Sequence, residues 1–151
     1  RRIDIRCNPY YTQQMGVKNT FFSCLLILTA CGRGSGPRIS DYEKAISIIA
    51  TGPISEASKG GIDADLYACG KQFPTGYKIR SISRVGKSDL MVFYSETHFK
   101  DTQFKCAWHV EHAYGNVLGV EFGIEMNGLN GKTEFSAINK FKVDLTNGAW
   151  E

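Results

Sequence analysis

Residues 118–126, Leu118-Gly119-Val120-Glu121-Phe122-Gly123-Ile124-Glu125-Met126, alternate an apolar side chain with a glycine or an acid along the whole stretch. A strand turns successive side chains to opposite faces, so the pattern is that of a β-strand with one face buried and the other wet. Working outward, Phe104, Cys106, Trp108 and Val110 repeat it against Lys105, His109 and Glu111, and Phe141, Val143 and Leu145 repeat it against Lys140, Lys142 and Asp144. Turn-forming residues separate these runs: Gly86-Lys87-Ser88, Tyr114-Gly115-Asn116, Asn127-Gly128 and Asn130-Gly131. Sequential strands with short connections pair antiparallel, so the chain from Tyr77 onward predicts a meander of four or five strands.

Upstream of the strands the period changes. Ile39, Tyr42, Ile46 and Ile49 recur at helical intervals, Ser40 and Glu43 have capping-box spacing, and Gly52-Pro53 ends the segment. Residues 53–76, rich in Gly and Ser, read as a loop with a short helical turn over Asp63 to Cys69. The fold class is therefore α+β, an N-terminal helix packed on an antiparallel meander, with 39–151 forming one globular domain. A length of 151 residues and a hydrophobic content of 42% are enough for one domain with a packed core.

The formal charge of +3 is unevenly placed. Residues 1–30 hold Arg1, Arg2, Arg6 and Lys18 against Asp4 alone, which leaves 14 basic and 14 acidic residues from Cys31 onward. A domain without net charge or a basic run lacks the positive face that phosphate-backbone binding needs, and nucleic acid is excluded as a partner.

From Met15 the chain runs through Lys18, an apolar stretch from Phe21 to Leu28, the small residues Thr29-Ala30, then Cys31 and a glycine-rich run to Pro37. That is the order of a secretory signal, and the apolar stretch falls short of the ~20 residues a spanning helix needs. On residues alone, Phe21–Leu28 also suits a buried strand or core helix, with Cys31 an ordinary thiol. Leu28-Thr29-Ala30-Cys31 resembles the lipobox of bacterial lipoprotein precursors. The resemblance covers Met15 to Cys31 and implies cleavage before Cys31 after lipidation of its sulfur. It also implies a signal peptide over 15–30, a flexible tether over 31–38, and a protein held in the envelope through a lipid anchor. With Gly32 rather than aspartate after the cysteine, it further implies the outer membrane if the organism has one. Residues 1–14, Cys7 included, read as an extension upstream of the start at Met15.

Once Cys31 is assigned to the lipid, Cys69 and Cys106 remain in the mature chain. An oxidising compartment and an even remainder make them a disulfide; the alternatives are two buried thiols or a Cys106 nucleophile working with His109. His98, His109 and Glu111 are the candidate metal ligands, but the spacing argues for solvated histidines, since His109 and Glu111 share a strand face from which His112 points away. Glu121 and Glu125 also share a face, the spacing of a carboxylate pair or of ordinary solubilising acids. Phe93, Tyr94 and Tyr114 offer a candidate exposed aromatic contact surface. No cofactor is expected.

These features together predict a non-enzymatic lipoprotein that binds another envelope protein, as an inhibitor or immunity protein or as an accessory assembly subunit. A small-ligand-binding domain is the alternative, and a metal-dependent hydrolase a weaker one.

Overall fold

The computed structural model describes residues 36–57, 64–98 and 103–151. The extension, the signal segment, Cys7, Cys31 and the tether as far as Ser35 lie outside the described residues, as does Asp63. Within them, the expected alternation is obeyed across strands. Trp108 stands opposite Phe122, Val110 opposite Val120, and these side chains are fully buried. The partners that alternate with them, His109 opposite Glu121 and Glu111 opposite Gly119, face the other way.

The strands are β1 (Tyr77–Ile82), β2 (Leu90–Ser95), β3 (Phe104–Tyr114), β4 (Val117–Asn127) and β5 (Thr133–Asp144). They form a sheet in chain order, β1-β2-β3-β4-β5, with every neighbour antiparallel. β2 does not alternate: from Leu90 to Phe93 every residue is buried, because both faces of the sheet are covered at that point. A register shift at Phe122/Gly123 bulges β5 against β4. Gly123 is required there, since a Cβ would stand 2.0 Å from the Ser136 carbonyl oxygen. Beyond β5 the chain turns back: Val143 bridges Trp150, and Lys142 and Glu151 exchange backbone hydrogen bonds of 2.9 and 3.1 Å. This C-terminal clip covers the outer edge of the last part of β5.

Three helices precede the sheet among the described residues: α1 (Ile39–Thr51), α2 (Pro53–Ala57) and α3 (Ala64–Lys71). The α+β class stands, with the sheet the larger part and several short helices rather than one. The cap of α1 is Arg38, two residues ahead of the expected Ser40, and the Arg38 amide donates to Asp41 Oδ2 at 2.7 Å, the role given to Ser40 and Glu43. Its buried stripe is Tyr42, Ala45, Ile46, Ile49 and Ala50, and Ile39 is exposed instead. Pro53 opens α2, a position where its missing N–H costs nothing. The stretch expected to be mostly loop thus contains α2 and α3. Gly70 allows α3 to lie on the sheet, since a Cβ there would be 2.7 Å from the Phe122 ring.

The core lies between helices and sheet, where Ile46, Ile49, Ile54 and Leu66 meet Phe93, Cys106, Trp108, Leu118, Val120 and Phe122. Cys69 of α3 is bonded to Cys106 of β3, with a Cα–Cα separation of 6.4 Å. The Tyr77 hydroxyl donates to the Cys69 carbonyl at 2.9 Å and lies 2.8 Å from Cys106 Sγ. Burial pushes its phenol well above the ordinary range. Among the described residues, Trp108 Nε1 is buried without a hydrogen-bond partner. No helix among the described residues is long and apolar enough to cross a membrane.

Candidate functional site

On the face turned away from the helices, β1 contributes Lys78 and Arg80, β2 Val92 and Tyr94, β3 Lys105, Ala107 and His109, and β4 Gly123 and Glu125, as the registers require. Ala107 and Gly123 are small and buried, so the longer side chains around them fold over the sheet. Arg80 Nη2 donates to Glu125 Oε1 at 2.5 Å, and His109 Nε2 lies 3.2 Å from the same oxygen. His109 stacks on Phe135 of β5, ring centroids 3.5 Å apart and planes 14° apart. The Arg80 guanidinium and the Lys105 ammonium sit 5.3 and 5.4 Å from the centre of the Tyr94 ring.

Glu125 is the buried charge of this cluster, its side chain 5% exposed. Burial works to raise its carboxyl, but His109 and Arg80 together outweigh that and hold it below the usual carboxylate range. A carboxyl held ionised serves as a counter-ion; a general acid needs the opposite shift. Two further ion pairs lie beside this cluster, Arg84 with Glu111 at 2.9 Å and Lys140 with Glu121 at 2.7 Å.

The residues singled out from the sequence are therefore distributed differently from expectation. His109 is not a solvated histidine: only 11% of its side chain is exposed, because Phe135 and Glu125 close over it. Glu111 shares its face but turns to Arg84, and exposed His98 lies beyond the end of β2, so the metal candidates are not gathered. Among the described residues no cluster of His, Cys, Asp and Glu has the makings of a metal site. Glu121 and Glu125 each answer a separate cation rather than one another. The aromatic trio is dispersed: Phe93 is in the core, Tyr94 is half-buried on the opposite face, and Tyr114 is exposed at the β3 end. Arg80 and Phe135 were missed. Nothing local marks them, since Arg80 is 45 residues from Glu125 and only strand register joins them.

Elsewhere a recess of about 370 Å³ lies beside the start of α1, lined by Pro37, Arg38, Lys44, Asn116 and Leu145 among others. Both cations already have partners there, Lys44 the Leu145 carbonyl at 3.0 Å and Arg38 the Asp41 carboxylate at 3.9 Å.

The chain matches no protein-family profile, no curated protein and no solved structure.

Proposed function

We propose that this chain is a lipid-anchored protein of the bacterial cell envelope that acts by binding another envelope protein, without catalysis of its own. The observation that carries the reading is Cys31 at the end of Leu28-Thr29-Ala30-Cys31, behind a short apolar stretch and ahead of a glycine-rich tether. The Cys69–Cys106 bond supports it, because disulfides persist in oxidising compartments such as the periplasm. In this reading α1 is the N-terminal cover of the meander, and the outer edge of β1 and the exposed turns are left for a partner. The test is the intact mass of the protein from its native membrane fraction beside that of a Cys31→Ser variant. A chain that begins at an acylated Cys31, with no such species in the variant, is the expected result. An unmodified chain that keeps residues 15–30 overturns the reading.

The partner is a toxin or hydrolase that this protein blocks, or an envelope assembly that it joins. Survival of cells challenged with the product of a neighbouring toxin gene tests the first, and co-migration with a large complex after mild solubilisation tests the second. The recess of about 370 Å³ favours a second reading, a small polar ligand, since it is within the usual size of ligand sites. A rise in thermal midpoint with a small polar metabolite, lost in Lys44→Ala, supports that instead.

A further inference from the structure

The geometry points to the outer edge of β1 as the place where a partner adds a strand, and to a segment of alternating acidic and aliphatic residues as the strand it accepts. This rests on the reading of the chain as a protein-binding module and deepens it. An edge strand offers a row of unpaired backbone donors and acceptors, which an extended peptide can use. The two edges of this sheet are treated differently. On β5 the bulge interrupts the edge and the clip from Ala149 to Glu151 pairs with its last residues. β1 is regular in register along its length, and among the described residues it pairs only with β2. Apolar groups accompany the open edge: Ile79 and Ile82 are 44% and 36% exposed, and Val85 in the turn that follows is fully exposed.

Charge chooses the occupant. Lys78 and Arg80 project from β1 on the same face, two residues apart. A second copy of the chain fits poorly, because the longest face-matched antiparallel registers set Arg80 against Arg80 or Lys78 against Arg80. Like charges directly opposite disfavour strand pairing and opposite charges favour it. A strand laid antiparallel on β1 with acids opposite Lys78 and Arg80 places the intervening residue opposite Ile79, on the helix-covered side. The complementary pattern is acidic, aliphatic, acidic. Lys78 carries most of this selection, since its present partner Glu96 is 3.5 Å away and both are about half-exposed, whereas Arg80 stays on Glu125 and meets the strand with the part of its side chain that is left exposed.

The experiment uses the full chain solubilised in mild detergent and a fluorescent peptide alternating Glu and Val, with two controls: Lys in place of Glu, and the same acidic peptide methylated at every second amide. Saturable binding of the acidic peptide is expected, about tenfold weaker for each control and about tenfold weaker in Lys78→Glu. Slowed amide exchange over residues 77–82 should accompany it. No binding, equal affinity for the acidic and basic peptides, or slowed exchange on β5 instead overturns the inference. A photo-crosslinking residue at position 79 or, separately, at position 129 in intact cells separates the two levels of the reading. A protein adduct from position 79 supports the edge. An adduct from 129 alone overturns the edge and leaves the protein-binding reading standing, and none from either overturns that reading itself.

Discussion

Across the face of the sheet opposite the helices, His109 Nε2 and Glu125 Oε1 lie 3.2 Å apart, and that same oxygen is the acceptor for Arg80. A carboxylate shared by two cationic or donor groups at a buried position contributes mainly by being missed when it is removed, since its partners are then left with unmet charge and hydrogen bonds.

Glu125→Gln should therefore lower unfolding stability at pH 7 by about 1–3 kcal/mol. The folded carboxyl lies below its ordinary range, so its contribution is present above the unfolded carboxyl value and is lost as pH falls through the folded one. Urea unfolding of both proteins as a function of pH should show a gap that is widest at neutral pH and closes on the acid side. A gap that stays constant down to acid pH would assign Glu125 a packing role instead.

The Cys69–Cys106 bond closes a loop over a sequence separation of 37. On the chain-entropy account such a cross-link is worth about 4 kcal/mol. Replacing both cysteines with alanine should lower the unfolding free energy by that amount or more, read as a lower guanidinium midpoint, as Cys106 is completely buried and its truncation also costs packing. An unchanged midpoint would show that the helices hold to β3 without the bond.

Gly70→Ala sets two effects against each other. Alanine in a helix gains up to about 1 kcal/mol over glycine, whereas overpacking a core costs about 1–3 kcal/mol. With the new Cβ at 2.7 Å from the Phe122 ring, and Phe122 fully buried, the second should win and the variant should be less stable. Combined with Phe122→Leu, the pair should be less destabilised than the sum of the single variants; strict additivity in a double-mutant cycle would disprove the contact.

Removing Ala149 to Glu151 should expose the covered part of the β5 edge and cost about 1 kcal/mol for the lost packing of Trp150 on Phe141, whose rings sit edge to face at 6.1 Å. Concentration-dependent growth in size on gel filtration, absent in the intact chain, is the expected signature. A truncated protein that stays at its original size would show that the bulge alone guards that edge.

Much of the fold was legible because strand alternation is a local signal. Phe104 to Val110 and Leu118 to Met126 announce both their conformation and their buried face. α3 was legible only as the short helical turn expected over Asp63 to Cys69, and α2 not at all; α3 owes its place to tertiary contacts, Gly70 against Phe122 and Cys69 against Cys106. β2 carries no alternation because it is covered on both sides. Sequence assigned His109 and Glu125 correctly to one face but took that face to be wet. Their burial depends on Arg80 from β1 and Phe135 from β5, brought over them by strand order alone.

Between Cys69 and Cys106 the backbone is a closed ring, and a tensile load on the ends of the domain bypasses it. The ring would withhold about 120–130 Å of contour from full extension, less the 6.4 Å between its joined Cα atoms. Under load α1, α2 and the last two strands can be drawn out, while β1, β2 and the first part of β3 stay as a slack loop that carries no force.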